Sequence, residues 1–172
     1  MATIYPEFFP KADSENDPEK LVFNKLKSLP ENYTIFYSKK FKGKFKTKEE
    51  AEIDFIIFDG SKNIICLEVK GGEIEYNGET NAWYQNGKKM EKSPDWQASN
   101  ACHVLIDYLN AFSKKLNINW ALAFPQSARP GGSNVISEVP NSLIIDERDF
   151  LEIDKSIDRI IEYNESQFNK PG

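Results

Sequence analysis

Apolar residues, many of them β-branched, are concentrated in two short neighbouring stretches of the chain, residues 52–58 and 64–70. Short runs of this kind are typical of β-strands, in which successive side chains point to opposite faces. Between the stretches lies Asp59-Gly60-Ser61, a sequence typical of a turn. The pattern predicts an antiparallel hairpin whose apolar face is formed by Ile53, Phe55, Ile57, Ile65, Leu67 and Val69.

Apolar residues recur at helical spacing in another segment, which begins after Asp17, a good N-cap residue, and ends before Pro30. Pro18 suits its first helical position. Glu19 falls on the same face as the apolar residues Val22, Phe23 and Leu26. A carboxylate in that position is costly to bury unless it meets a cation or a hydrogen-bond donor.

A second and longer helix is predicted from Ser93 and Pro94 onwards. It contains His103, the single histidine, for which we expect a structural role. One histidine and the distant Cys66 and Cys102 do not make a Cys/His metal site. The apolar stripe of this helix consists of Ala98, Ala101, Cys102, Leu105, Leu109, Phe112 and Leu116.

The remaining segments complete an α/β pattern, because their order implies a mixed sheet with helices packed on it. We expect a single domain over residues 17–165, an irregular arm over 1–16 and a polar tail over 166–172. Further strands are predicted at 33–41, 74–76, 83–85, 120–124 and 143–145, short helices at 147–151 and 155–163, and a loop at 130–134.

Composition limits the setting in which this domain works. Of its 172 residues, 40% are hydrophobic and 28% are charged, as in folded globular proteins. The two cysteines fit a reducing compartment. The chain has no apolar stretch long enough to cross a membrane, and its first ten residues do not resemble a signal peptide. We therefore expect a cytoplasmic protein without a membrane partner.

Positive charge is concentrated in one segment, although the net charge of the chain is −5. Six lysines occupy positions 39, 40, 42, 44, 46 and 48. Such a segment is suited to following a phosphate backbone, with a solvated loop as the alternative interpretation. The candidate nucleic-acid contacts are Lys40, Lys42, Lys44 and Lys46.

Two acidic residues of the hairpin carry the strongest chemical signal. A loop over residues 59–63 places Asp54 opposite Glu68. The same register places Glu52 opposite Lys70. Opposed carboxylates repel each other, and a hard cation such as Mg²⁺ neutralises them by taking oxygen ligands. An ordinary ladder of cross-strand ion pairs, in which Glu52 is only the partner of Lys70, is the alternative.

Lys70 and the residues that follow it fit phosphodiester hydrolysis. A lysine on the same face as the two acids is able to orient or deprotonate a water molecule and to stabilise charge on a phosphate. Gly71 and Gly72 would let a nucleic-acid backbone come close, although glycines after a strand more often form a simple turn.

The motif Glu52-Ile53-Asp54, followed by Glu68-Val69-Lys70-Gly71-Gly72, resembles motifs II and III of the PD-(D/E)XK nucleases and, most of all, those of the nuclease-related domain family, NERD. Ile53 stands where the tighter form of the motif has proline. The resemblance covers roughly residues 18–116. It includes a helical glutamate, a hairpin tryptophan, and a proline and a glutamine at the next helix start, which correspond to Glu19, Trp83, Pro94 and Gln97.

The resemblance implies a restriction-endonuclease-like fold, in which a mixed central sheet is flanked by helices. It implies that Asp54, Glu68 and the carbonyl of Val69 bind Mg²⁺ or Mn²⁺ and that Lys70 is the catalytic lysine. Glu19 and Gln97 would be supporting site residues. Trp83 and Trp96 are interpreted as packing residues and not as base-stacking platforms.

The implied function is metal-dependent endonucleolytic cleavage of DNA, duplex or single-stranded, in DNA processing or in defence against foreign DNA. NERD domains are often the N-terminal part of longer chains, so a fused or associated helicase is one expected partner. A homodimer is another, because many nucleases of this fold cut duplexes as dimers. The alternative is a nuclease-like module that binds DNA or a partner chain and cuts weakly or not at all.

Overall fold

A large mixed β-sheet forms the centre of the protein. The structure is a computed structural model that describes residues 1–11, 16–43, 50–128 and 139–169. Within those residues the sheet has the strand order β1 (Thr3–Tyr5), β2 (Thr34–Lys42), β3 (Glu50–Phe58), β4 (Asn63–Val69), β8 (Asn117–Phe124) and β9 (Ile144–Asp146). Neighbouring strands β2, β3 and β4 are antiparallel, and the remaining neighbours are parallel.

A small antiparallel sheet and the helices surround this large sheet. The predicted α/β class, with a mixed central sheet flanked by helices in a restriction-endonuclease-like fold, is confirmed. The small sheet consists of β5 (Ile74–Asn77), β6 (Ala82–Gln85) and β7 (Lys88–Lys89). The described α-helices are α1 (Pro18–Lys27), α2 (Pro94–Leu109) and α3 (Ile153–Phe168), and short 3-10 helices lie at Asn110–Lys115, Asn141–Leu143 and Asp149–Glu152.

The β3–β4 hairpin adopts the predicted register, because its turn is fixed by one carboxylate. Oδ1 of Asp59 accepts hydrogen bonds from the backbone N–H groups of Ser61, Lys62 and Asn63, at 2.8, 3.0 and 3.0 Å. This closed turn pairs Phe58 with Ile64, as the sequence predicts. The register of the hairpin decides which side chains of its two strands meet at the open end.

Apolar side chains fill both faces of the central sheet. One cluster joins α1 and α3 to the face that carries Phe55 and Leu67. The other joins α2 to the opposite face, where Cys66 of β4 and Cys102 of α2 are both buried. Ile53 lies in this second cluster, so its predicted place on the face of Phe55 is wrong. The reason is an irregularity between these two residues, at the level of Asp54.

Some predicted boundaries are also wrong. Residues 3–5 of the expected irregular arm form β1, whose parallel pairing with β2 is a tertiary contact that local pattern does not reveal. The long helix ends at Leu109, because Asn110 adopts φ 53, and Phe112 is therefore exposed. Helix α3 continues to Phe168, into the expected tail. The predicted loop at 130–134 lies outside the described residues.

No helix in the described ranges has both the length and the apolar character that crossing a membrane requires.

Candidate active site

Asp54 and Glu68 meet where the β3–β4 hairpin opens. The regular ladder between the two strands ends at the pair Phe55 and Leu67. One residue further on, the backbone N–H of Val69 donates a hydrogen bond to Oδ2 of Asp54, at 2.8 Å. A side chain of β3 thus takes the place of a backbone carbonyl and holds the end of β4. This hydrogen bond fixes the Asp54 carboxylate beside Glu68.

The strand next to Asp54 is distorted at the same level. Tyr37 pairs with Phe55 and Lys39 pairs with Ile53, and Ser38 between them has φ 54. A positive φ is costly for a residue other than glycine, and such residues concentrate at functional sites. The distortion changes the face on which the following side chains lie, which explains the position of Ile53.

Glu52 does not reach Lys70, so the expected pairing of these two residues is wrong. Oε1 of Glu52 accepts a hydrogen bond from Oγ of Ser38 at 2.6 Å, and Glu52 is the cross-strand neighbour of Lys40. The expectation assumed that the hairpin ladder continues to Lys70. Instead, the backbone N–H of Lys70 donates to the carbonyl of Ala123 in β8 at 3.0 Å.

The ammonium group of Lys70 is held between a carboxylate and an amide. Its Nζ lies 3.2 Å from Oε1 of Glu68 and donates to Oε1 of Gln97 at 2.8 Å. Nε2 of Gln97 donates to the carbonyl of Lys92 at 3.0 Å, which orients the amide. The side chains of Lys70 and Glu68 are 20% and 12% exposed. The ammonium is therefore largely shielded from solvent yet still reachable.

Glu19 approaches the site from the first turn of α1. Its Oε1 accepts a hydrogen bond from the hydroxyl of Tyr37 at 3.1 Å, and its Oε2 lies 3.0 Å from Nζ of Lys11. The sequence predicts a cation or a hydrogen-bond donor for this carboxylate, and the structure supplies both. Tyr37 is buried, and the residue pattern of β2 gives no signal for its role. The family resemblance selects Glu19 as a site residue, whereas only the structure shows that Tyr37 contacts it.

Burial and mutual repulsion shift the two central carboxyl groups. Burial, and next the negative charge of Glu68, raise the pKa of Asp54 to about 7, against the partial compensation of the hydrogen bond from Val69. Burial also raises the pKa of Glu68, although the adjacent Lys70 ammonium opposes that change. The charge of Glu19 acts in the same direction on both groups. The site therefore holds more negative charge than its own cation neutralises.

The loop after Lys70 is fixed by two glutamines that sequence patterns did not single out. The backbone N–H of Gly72 donates to Oε1 of Gln126 at 2.7 Å, and Nε2 of Gln126 donates to the carbonyl of Asn16 at 2.7 Å. Nε2 of Gln85 donates to the carbonyl of Gly71 at 2.9 Å. A Cβ atom on Gly71 would lie 2.5 Å from Cγ of Pro18, so glycine permits the close approach of α1.

The remaining residues that the sequence analysis discussed lie away from Asp54, Glu68 and Lys70. Lys40 and Lys42 are exposed on β2, where their cross-strand neighbours are Glu52 and Glu50. Lys44 and Lys46 lie outside the described residues. Trp83 is buried against Tyr76 and Phe124, as interpreted. His103 is exposed on α2. Trp96 is exposed, so its interpretation as a packing residue is wrong.

The oxygen atoms of the site fit a small divalent cation. In the ranges that the structure covers, no three side chains of histidine, cysteine, aspartate or glutamate come together to hold a metal ion. The available donors are the carboxylates of Asp54 and Glu68 with the main chain of Val69 between them. Hard oxygen donors of this kind suit Mg²⁺, which retains several water ligands and needs few from the protein. Burial is the main cause of the raised pKa of Asp54, and a cation here would offset the negative charge of Glu68 that adds to it.

The central hairpin of this mixed sheet opens at Asp54 and at the triplet Glu68-Val69-Lys70, between the first turns of α1 and α2. This arrangement defines a restriction-endonuclease-like domain of the PD-(D/E)XK class. The family described as NERD, nuclease-related domain, has a model that matches residues 14–125, well over half of the chain. The chain belongs to this family. Comparisons with curated proteins and with solved structures give no significant match.

Proposed function

We propose that this domain is a Mg²⁺ or Mn²⁺ dependent endonuclease that hydrolyses phosphodiester bonds of DNA. The observation that supports this function best is the meeting of Asp54 and Glu68 beside the ammonium of Lys70. Two buried acids with raised pKa, one of them held by a backbone hydrogen bond, lie beside one partly exposed lysine. Burying these acids has a cost in stability that a cation and a phosphate would offset.

The ligands of the metal ion would be Asp54, Glu68 and the carbonyl oxygen of Val69. When bound, a divalent ion lowers the pKa of a water molecule and offsets negative charge on the phosphate oxygens. The hydrogen bond from Val69 N–H to Asp54 ties the main chain of this residue to one of the two carboxylates. Movement of one ligand therefore requires movement of another, which favours a preorganised site.

The protein's own groups perform the remaining tasks. Lys70, held by Gln97 and Glu68, presents a fixed positive charge where negative charge develops on the phosphate or on the attacking oxygen. Glu19, held by Tyr37, adds a third carboxylate near the other two. Gly71, with no side chain, leaves the loop after Lys70 close to α1.

The biological setting is a further part of the proposal. From the family resemblance we infer that the nuclease acts in DNA processing or in defence against foreign DNA. Its location would be the cytoplasm, and its partner a fused or associated helicase. A homodimer would let two such sites cut both strands of a duplex. The positions of Lys40 and Lys42 on an exposed strand are compatible with a phosphate contact, although glutamates oppose both lysines.

Cleavage and metal binding, measured on the same variants, test the proposal. We expect plasmid and single-stranded DNA to be cut with Mg²⁺ or Mn²⁺ and not with chelator. Asp54→Asn, Glu68→Gln and Lys70→Ala should each lower the rate by about a hundredfold or more. Calorimetric titration with Mn²⁺ should show weaker binding for the first two variants. Lys62→Ala and Glu75→Gln, which change exposed residues of the same charges, are the matched controls.

Two outcomes would contradict the proposal in different ways. Cleavage that survives both Asp54→Asn and Lys70→Ala would exclude this active site. Metal-independent DNA binding by a wild-type protein that cuts no substrate would instead identify a binding module with the nuclease fold.

A further inference from the structure

A surface beside the proposed active site combines an exposed aromatic ring with cations. We call it the Trp96 surface and define it by Trp96, Lys88, Lys89 and Lys92. Trp96 is 49% exposed, whereas Trp83 is 4% exposed. A large aromatic side chain left half in water, when the same chain buries a second one almost completely, is a candidate for ligand contact.

Trp96 is linked to the proposed active site through its neighbour in the sequence. The next residue, Gln97, accepts the hydrogen bond from the ammonium of Lys70. Lys92, whose carbonyl oxygen orients the Gln97 amide, places its own Nζ 4.7 Å from the centroid of the Trp96 ring. One short segment at the start of α2 therefore supplies both an exposed ring and the hydrogen bond that positions the proposed catalytic lysine.

An open cavity beside the loop after Lys70 supplies the other two lysines of this surface. Its volume is about 350 Å³, and its lining residues are Gln85, Asn86, Lys88, Lys89 and Met90. Two of these residues hold the loop: Gln85 donates to the carbonyl of Gly71, and Oδ1 of Asn86 accepts from the N–H of Glu73. The cavity wall is thus hydrogen-bonded to the loop that follows Lys70, and Gln97 beside Trp96 is hydrogen-bonded to Lys70 itself, so both parts of the surface adjoin the proposed site.

We propose that the Trp96 surface binds single-stranded nucleic acid, with an unpaired base stacked on Trp96 and phosphates near Lys88 and Lys89. This inference rests on the proposed nuclease function and names its substrate class. Stacking on a protein ring requires a base that has left the helical stack, because paired bases present only their edges and not their faces. The lysines supply charge complementarity to a backbone that the net charge of −5 would otherwise repel.

Nearby acids make stacking more important than charge in this proposal. Glu91 and Asp95 lie in the same segment as the three lysines and reduce its net positive charge to +1, since three positive charges meet two negative ones. A binding site with so little net charge gains much of its affinity from the ring. Removal of the ring should therefore weaken binding at any salt concentration, whereas removal of the lysines should change mainly the salt dependence.

Binding in chelator, where no cleavage is expected, tests the surface independently of the nuclease activity. The anisotropy of a labelled single-stranded oligonucleotide and of its duplex is measured with the whole chain. We expect the wild type to prefer the single strand, and Trp96→Ala to weaken single-strand binding about tenfold, with Trp96→Phe in between. Phe112→Ala, which removes an exposed ring near the far end of α2, is the matched control.

The lysines are tested by a charge-matched pair of variants. Lys88→Gln with Lys89→Gln should make the plot of log affinity against log salt shallower by about 0.7 for each phosphate that the protein no longer neutralises. Lys114→Gln with Lys115→Gln, the same change in another exposed lysine pair, should leave the slope unchanged.

Some results would overturn this inference and leave the nuclease proposal intact. The first such result is equal affinity of Trp96→Ala and Phe112→Ala for the single strand. The second is a wild type that binds the duplex at least as tightly as the single strand. A wild type that binds the single strand through Trp96 but never cuts DNA would have the opposite meaning. The surface would stand, and the nuclease function would fail.

Discussion

Nζ of Lys70 lies 2.8 Å from Oε1 of Gln97, and this hydrogen bond joins the end of β4 to the first turn of α2. The flexible stem of a lysine allows its ammonium group many positions. With Glu68 as the only acceptor, Lys70 would form one ion pair of variable geometry. Because Gln97 is itself oriented by the Lys92 carbonyl, the second acceptor defines where the positive charge stands.

Replacement of Gln97 should therefore affect turnover more than substrate binding. We expect Gln97→Ala to lower kcat about tenfold to a hundredfold, because the ammonium loses its fixed position, and to change KM little. Steady-state cleavage kinetics measure both constants. Ser99→Ala, two residues further along α2, is the control. An unchanged kcat for Gln97→Ala would show that Glu68 alone positions Lys70.

Tyr37 should act through Glu19. Tyr37→Phe removes the hydroxyl that donates to Oε1 of Glu19 and leaves a partly buried carboxylate with one partner fewer. We expect a loss of about 1 kcal/mol in the free energy of unfolding and a cleavage rate several times lower. Denaturant unfolding and cleavage assays check the two effects. Tyr33→Phe, which alters another buried tyrosine, should leave the cleavage rate unchanged.

Gly71 should tolerate no side chain. In Gly71→Ala the new methyl group would lie 2.5 Å from Cγ of Pro18, so α1 or the end of β4 must shift. We expect a loss of about 1–3 kcal/mol in the free energy of unfolding, together with slower cleavage, because Glu19 and Lys70 belong to the elements that move apart. Gly78→Ala is the matched control, since its nearest neighbour atom would be 3.9 Å away. Equal stability of the two variants would contradict this packing.

The stability of the metal-free protein should fall as the pH rises from about 4 to about 7. The pKa of Asp54 rises from 3.8 to about 7 on folding, mainly through burial. The folded state therefore binds a proton more tightly than the unfolded state, and its stabilising effect is lost as the pH rises through the folded pKa. The shift corresponds to an upper limit of about 4 kcal/mol. Thermal unfolding in chelator, followed across this pH range, measures the effect.

Asp54→Asn should flatten this pH profile, because it removes the titrating group. Glu75→Gln, on the small sheet, should leave the profile as it is in the wild type. Mg²⁺ should raise the unfolding temperature of the wild type most at the upper end of the range, where the Asp54 carboxylate is ionised. A wild-type profile no steeper than that of Asp54→Asn would show that this carboxyl group is not shifted.

Local patterns in the chain were sufficient for the hairpin and for the meeting of its two acids. Short runs of apolar residues identified both strands, and the turn at Asp59 fixed which residues pair. The side chains of Asp54 and Glu68 follow from that register by counting. The same counting failed for Glu52, because the ladder stops at Phe55 and does not continue to Lys70.

Contacts between distant segments were decided by the tertiary structure alone. Family resemblance selected Glu19 and Gln97. No periodicity, however, indicates that Tyr37 donates a hydrogen bond to Glu19 or that Lys70 donates one to Gln97. Nor does any local pattern reveal that Trp83 is buried and Trp96 is exposed. Sequence determined the elements and the chemical groups, since these depend on spacing within one strand or helix. The packing of α1 and α2 against the sheet determined which groups meet, because hydrogen-bond partners many residues apart are set by geometry in three dimensions and not by their spacing along the chain.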